Sequence, residues 1–352
     1  MSSEDPQPAP ASPTLEDVAR VAGVSRATVS RVINGIRNVD PEIQEKVRQA
    51  VATTGYVPNR AARSLVTRRT GSIALVVSGA GGEGGAEDPF PSRVFGDPFF
   101  GRVASGVLGF LRPRGMHPVL MLAETAEARE QVISYLRQGN ADGALLVSTH
   151  PADPMPKLLV DAGTPAVLFA RPSRPTPISY VDLAHRTGGV LAADHLVSLG
   201  RRRVATITGP LALPAGQDRM AGFQEAMARH GHPYVPVVEG NFTHDSGEAS
   251  MQRLLAEHPD VDGVFVANDL MAQGALVALR EGGRRIPEDV AVIGFDDSSV
   301  ALACRPQLTT VRQPMEDMAA EMARLLLAHI EEPDRRATSV IFEPTLVVRQ
   351  SA

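Results

Sequence analysis

The stretch Leu15-Glu-Asp-Val-Ala-Arg-Val-Ala-Gly-Val-Ser-Arg-Ala-Thr-Val-Ser-Arg-Val-Ile-Asn34 decides how the N-terminal part of this chain folds. Apolar residues recur at helical spacing as Leu15, Val18, Ala19 and Ala22, break at Gly23, and resume as Val24, Val29, Val32 and Ile33. That pattern predicts two short helices meeting at a tight turn, with glycine where the backbone must reverse. Ala19 and Ala22 are small enough for a close helix crossing, and Val24, Val29 and Val32 seal the second helix to the first. Arg26, Ala27, Ser30 and Arg31 are left pointing outward. Both helix starts are signalled independently: Thr14 with Asp17 reads as a capping box, and Ser25 is placed to cap the second helix.

Working outward, Asp40-Pro41 opens a third helix whose Ile43, Val47, Ala50 and Val51 face inward until Gly55 ends it. Residues 14–57 therefore read as a three-helix, helix-turn-helix domain. Such a domain presents the outward residues at the start of its second helix to base edges, where arginine bonds guanine O6 and N7 and alanine meets a thymine methyl. Arg26, Ala27 and Arg31 are the candidate readers. Residues 58–71, which begin Pro58-Asn59, have an asparagine cap but are too few to hold a helix alone, so they read as a linker of conditional helicity. Residues 1–13, acidic and proline-rich, read as a disordered tail with neither the basic nor the apolar region of a signal peptide.

The charge distribution points the same way. The chain has 352 residues and a net charge of −5, which taken alone argues against a nucleic-acid binder. Between Thr14 and Gly71, however, ten Arg and Lys face five Asp and Glu, so this block carries +5 and everything else −10. A small basic module joined to a larger acidic one is the footprint of a DNA-binding protein. The single cysteine, Cys304, excludes an intrachain disulfide and favours a reducing cytoplasm. No apolar run reaches the ~18 residues of a membrane span.

After Gly71, short β-rich apolar runs alternate with helical segments: Ile73–Val77, Pro118–Leu122, Gly143–Val147, Ala166–Phe169, Val204–Ile207, Gly263–Val266 and Val290–Ile293. The alternation implies parallel sheets covered by helices on both faces. The strands are too many for one small sheet, so the reading is α/β, with two doubly wound subdomains and a cleft at the strand C-terminal ends. The expected N-subdomain is 72–174 plus 305–335, and the C-subdomain 175–304 plus 336–352. Asn268 and Asp296 each follow a predicted strand and Arg219 opens a helix, so all three are placed to line that cleft. Residues 79–92 form a glycine-rich loop that fits Gly-x-Gly-x-x-Gly but leads into Glu87-Asp88-Pro89 rather than a helix, which argues against nucleotide binding. His230-Gly-His232 lacks the companions of a metal site. No catalytic motif appears, and neither an enzymatic activity nor a cofactor is expected.

The motif Leu-x-x-Val-Ala-x-x-Ala-Gly-Val-Ser-x-x-Thr-Val-Ser-Arg-Val-Ile-Asn closely resembles the signature of the lactose/galactose repressor family. The resemblance continues through Tyr56, Pro58-Asn59, Ala62 and Leu65, then Arg219-x-x-Gly-Phe223, Ala267-Asn-Asp-Leu-Met-Ala272 and Val290-Ala-Val-Ile-Gly-Phe-Asp-Asp297. It implies a periplasmic-binding-protein-like core and a homodimeric repressor of carbohydrate-utilisation genes that leaves a palindromic operator when a sugar binds. DNA contacts are implied at Arg26, Ala27, Ser30, Arg31 and Asn34, and in a hinge helix at Asn59, Arg60, Arg63 and Leu65. Effector contacts are implied at Arg219, Asn268 and Asp296. Phe95-Gly-Asp-Pro-Phe99-Phe100 resembles the cleft entrance of the cellobiose-responsive branch and Arg171 matches the Arg-Pro that many oligosaccharide-responsive members carry, making cellobiose or a cello-oligosaccharide the expected effector. The family's Asp-Asn after the next strand is here Ala184-His185, so Asp182 and His185 are the residues placed to substitute. The alternatives are a sugar-binding transport receptor of the same core, and a family member answering a different sugar or a purine.

Overall fold

The computed structural model describes residues 13–34, 39–57, 69–79 and 89–352. The tail of 1–12, the hinge residues Asn59, Arg60, Arg63 and Leu65, and most of the glycine-rich loop lie outside them. The chain divides into two units, Met1–Thr70 and Gly71–Ala352.

In the first unit, α1 (Leu15–Ala22), α2 (Arg26–Ile33) and α3 (Pro41–Thr54) follow the local signals. Thr14 Oγ1 accepts from the Asp17 N–H, while Asp17 Oδ2 accepts from the Thr14 N–H at 2.9 Å. The Thr14 backbone donor and then Arg20 hold the Asp17 carboxyl down at about 2. Gly23 takes φ 67, the left-handed geometry the turn requires. Ser25 Oγ accepts from the Thr28 N–H at 3.1 Å, and Asp40 Oδ1 from the Glu42 N–H at 2.8 Å. Val18, Val29 and Val47 are fully buried and form the core with Ala50, walled by residues such as Leu15, Ile43 and Tyr56.

The described residues of the second unit form twelve strands in two sheets. They are β1 (Ser72–Ser78), β2 (His117–Ala123), β3 (Ala144–Ser148), β4 (Ala166–Phe169), β5 (Ser179–Leu183), β6 (Val204–Thr208), β7 (Val237–Glu239), β8 (Gly263–Val266), β9 (Ala291–Asp296), β10 (Thr309–Arg312), β11 (Ser339–Phe342) and β12 (Thr345–Val347). The helices are α4 (Phe90–Gly96), α5 (Pro98–Leu111), α6 (Ala126–Arg137), α7 (Met155–Asp161), α8 (His185–Ser198), α9 (Pro214–Arg229), α10 (His244–Glu257), α11 (Asp269–Glu281), α12 (Ser299–Ala303) and α13 (Met315–Glu331). One sheet runs β11-β5-β4-β3-β1-β2, the other β12-β10-β9-β8-β6-β7. All pairings are parallel except β10 with β12. Continuous burial along β1, β6 and β8 reflects helices on both faces.

The chain passes between the sheets three times: from β5 into α8, from β10 into α13, and from β11 into β12. This corrects the expected subdomain limits. Residues 175–183 belong with the first sheet because β5 pairs with β4 and β11, and β11 likewise extends that subdomain beyond residue 335. Residues 305–312 belong with the second because β10 pairs with β9.

Candidate functional site

On α2, the side chains of Arg26, Ala27 and Arg31 are exposed, and those of Ser30 and Asn34 half-buried. The Arg26 guanidinium reaches back to Glu16 on α1 at 2.9 Å. Asn34 Nδ2 donates to Ser30 Oγ at 3.2 Å, so these two polar groups satisfy each other one turn apart. Three outward residues on a capped helix with a packed back face form a surface able to enter a major groove.

In the second unit, a cavity of about 1290 Å³ lies between the two subdomains. It exceeds the ~300–1,000 Å³ of ordinary ligand pockets and has room for more than one sugar ring. Phe99, Phe100, Arg171, Arg219, Asn268 and Asp296 all line it.

Arg219 is the hub. It is placed by a helix crossing so tight that a Cβ on Gly189 of α8 would stand 2.2 Å from the Arg219 carbonyl oxygen on α9. The side chain is 7% exposed, and its guanidinium carbon lies 3.7 Å from the centre of the Phe295 ring. Nε donates to His185 Nδ1 at 3.2 Å, Nη1 to the Ala267 carbonyl, and Nη2 to Gln313 Oε1 at 3.3 Å. A guanidinium has five N–H donors, so one remains on each terminal nitrogen beyond these bonds. Asp296 Oδ1 stands 3.9 Å from Nη2.

Asp296 ends β9 at φ 107, a backbone conformation few non-glycine residues adopt. Its side chain is 15% exposed. Burial pushes its carboxyl up to about 8; Arg219 opposes this, while the nearby Asp269 and Asp97 add to it. Burial thus favours the protonated form, in a position where a hydroxyl-rich ligand would meet the carboxyl.

Asn268 is committed in a way its sequence position did not reveal. Its Oδ1 accepts from the Met271 N–H at 2.9 Å, capping α11, and its Nδ2 donates to the Phe242 carbonyl at 3.1 Å. Arg171, likewise, is paired: Nη2 donates to Asp218 Oδ2 on α9 at 2.7 Å, joining the two subdomains across the cleft mouth. Phe99 packs edge-on against Phe100 and Phe169, with ring centres 5.0 and 5.3 Å away, so the aromatic wall is a cluster rather than two free rings.

His185 and Asp182 do reach the cleft, in the place of the departed Asp-Asn. His185 Nε2 is 3.3 Å from Asp182 Oδ1. Because Nδ1 accepts from Arg219, the proton belongs on Nε2, which donates to Asp182. Burial, and then the Arg219 charge, lowers the His185 pKa and keeps the ring neutral. Gln313, Phe169 and Phe242 also line the cavity and were missed from sequence. A lone glutamine after a strand was the available signal for the first. His230 pairs with Asp194 at 2.7 Å, and no metal-holding cluster occurs among the described residues. No helix among them is long and apolar enough to cross a membrane.

Comparison with known proteins gives two family matches. Residues 14–59 match bacterial regulatory proteins of the lacI family, and residues 193–352 match the periplasmic binding protein-like domain. The HTH-type transcriptional regulator CelR of Thermobifida fusca is 45% identical over 343 residues, covering 96% of this chain and 98% of that protein. Among solved structures, a transcriptional regulator CelR–cellobiose complex superimposes with a TM-score of 0.74 at 43% identity, covering 97% of this chain and 100% of that one. The lac repressor dimer bound to operator and an anti-inducer superimposes with a TM-score of 0.76 at 26% identity, over 96% and 98% of the two chains.

Proposed function

The chain belongs to the lacI family of bacterial regulatory proteins, and from that premise we propose that it is a homodimeric repressor released from its operator by cellobiose or a cello-oligosaccharide. Its relatives are regulators rather than enzymes, and its place of action is the cytoplasm, where operator DNA is. The observation that carries the sugar reading is the composition of the cleft. A buried arginine and a largely buried carboxyl, Arg219 and Asp296, line the same cavity as an aromatic cluster at Phe99. Pyranose rings present hydroxyls at their rim and C–H groups on their faces, and these two walls suit them respectively. The volume favours a chain of sugars over a single ring or a purine.

On the DNA side, Arg26, Ala27 and Arg31 read base edges, Ser30 and Asn34 support α2, and Asn59, Arg60, Arg63 and Leu65 supply the hinge contacts. A two-fold dimer places identical helices on two half-sites, so the operator is a palindrome. Arg31→Ala is expected to cost about 1–3 kcal/mol and to relax preference at one base pair.

The deciding experiment titrates the full-length protein on its operator with cellobiose, cellotriose, maltose, xylobiose, ribose and hypoxanthine. Release by the cello-oligosaccharides alone supports the reading; release by ribose or hypoxanthine instead overturns it. A transport receptor would bind sugar without any operator affinity.

A further inference from the structure

Arg102 lies on α5, three residues past Phe99, and is not part of the cleft lining. Its side chain is nonetheless only 19% exposed, and four of its five N–H groups are engaged. Nε and Nη2 donate to the two carboxylate oxygens of Glu316 on α13, each at 2.8 Å. Nη1 donates to the main-chain carbonyl of Asp296 at 2.7 Å, and Nη2 also to that of Gln313 at 3.2 Å.

The side chains of the same two residues face Arg219: Gln313 Oε1 accepts from Nη2 at 3.3 Å, and Asp296 Oδ1 stands 3.9 Å from it. Asp296 ends a strand of the second sheet, and Gln313 lies in the passage from β10 to α13. Both thus meet two arginines: Arg219 at the side chain, in the cleft, and Arg102 at the backbone carbonyl. We propose that Arg102 is the positioning residue that converts sugar occupancy at Arg219 and Asp296 into movement of the first subdomain.

Three features carry this. The Asp296 carbonyl is the backbone of a residue at φ 107, so a ligand that re-aims its carboxyl acts on a turn with few alternative geometries. The helices α5 and α13 form one body: a Cβ on Gly106 would stand 2.3 Å from the Glu316 carbonyl oxygen, which leaves no slack between them. That body covers the sheet containing β1, the first strand after the DNA-binding unit. A planar guanidinium serves these acceptors in fixed directions, and a lysine ammonium, with its three donors on one rotatable nitrogen, cannot match the bidentate grip on Glu316 and both carbonyls together.

This inference rests on the sugar-responsive function proposed above, and its test separates the two. In the full-length protein, cellobiose affinity is measured by calorimetry, and operator affinity by fluorescence anisotropy with and without saturating cellobiose. In wild type the two operator affinities should differ by a factor within the roughly 5–150-fold range of allosteric coupling. Arg102→Met is expected to keep cellobiose affinity and sugar-free operator affinity within about threefold, while that factor collapses toward one. Arg102→Lys, which keeps the stem and charge, should retain only part of the response and carries the test if the methionine variant fails to fold. Glu316→Gln should likewise give a partial loss. A wild-type response to cellobiose that survives intact in Arg102→Met and Arg102→Lys refutes the role of Arg102 alone. A loss that merely tracks weakened sugar binding refutes it as well. Operator affinity indifferent to cellobiose in the wild-type protein refutes the function and, with it, the relay.

Discussion

Sugar binding should expel a proton, and the source is Asp296. Burial holds its carboxyl up at about 8 in the empty cleft. A carboxyl raised in this way holds its proton into the neutral range. Sugar hydroxyls that donate to the carboxyl favour its ionised form, so binding lowers the pKa. Calorimetric titration with cellobiose at pH 7 in phosphate and in Tris, whose ionisation enthalpies differ, should therefore report a net release of protons. The sign follows for affinity: it should rise by up to about tenfold per unit as pH climbs toward 8 and flatten above it. The empty protein should move the other way. A carboxyl with a raised native pKa binds a proton that the unfolded chain has lost, so its contribution to stability falls as pH rises from about 4 to about 8. Asp97, which also lines the cleft, is a second carboxyl raised by its burial, so the Asp296→Asn variant is what isolates Asp296. Asp269, up at about 6, is ionised at pH 7 and already accepts from the Ser298 N–H, Ser298 Oγ and Thr310 Oγ1. His185 is held neutral by its burial. Identical heats in the two buffers, together with flat affinity between pH 6 and 8, would falsify the assignment of Asp296 as the sugar-binding carboxyl; Asp296→Asn should abolish the release.

Further expectations follow from single contacts. Gly106→Ala places a methyl 2.3 Å from the Glu316 carbonyl and 2.8 Å from the Ala319 Cβ, forcing α5 and α13 apart, and should lower core stability by about 1–3 kcal/mol in urea unfolding. Thr14→Ala removes half of the capping box and should cost the first unit about 1 kcal/mol, seen as an earlier loss of its helical signal on heating. His185, with its native pKa below the ordinary 6.5, must stay neutral where the unfolded chain would take up a proton, so stability is lost as pH drops below about 6.5. His185→Asn should flatten that acid limb between pH 7 and 5, and an unchanged slope would show that another group is responsible. Leu65→Ala should leave sugar binding and dimer mass intact while losing most operator affinity and bend, because an apolar wedge is what unstacks a base step; retained affinity in a gel shift would remove it from the hinge.

What could be read from sequence was what is local. The caps at Thr14, Ser25 and Asp40 and the glycine at 23 involve partners two to five residues apart, and each stands where it was expected. The long buried strands such as β1 and β9 announced themselves as apolar runs. By contrast β7 and β12 have three residues each and β11 alternates exposed and half-buried positions, so none breaks the background. β5 reads Ser-Tyr-Val-Asp-Leu, with the polar Asp182 turned into the cleft, and missing its pairing with β4 moved the subdomain limit by nine residues, from 174 to 183.

The candidate site divides along the same line. Placement after a strand sufficed to find Asn268 and Asp296, because strand ends set the cleft. It could not find what holds them, since Arg102 comes from 194 residues away and the Gln313 partner of Arg219 from 94. The pair Asp296-Asp297 shows the consequence most sharply. Both residues have positive φ, 107 and 52, at a cost on the order of 1–3 kcal/mol each. Asp297 is gripped by Arg312 at 2.6 Å and Arg349 at 2.5 Å, residues of β10 and of the chain beyond β12, while Arg102 holds the carbonyl between the two aspartates. The Arg312 and Arg349 grips hold the turn in place, so the Asp297 carboxylate is spent on structure while the Asp296 carboxyl faces the cleft. Two adjacent aspartates look equivalent in sequence; the division of labour between them is made by the two arginines that grip Asp297 and leave Asp296 to the cleft.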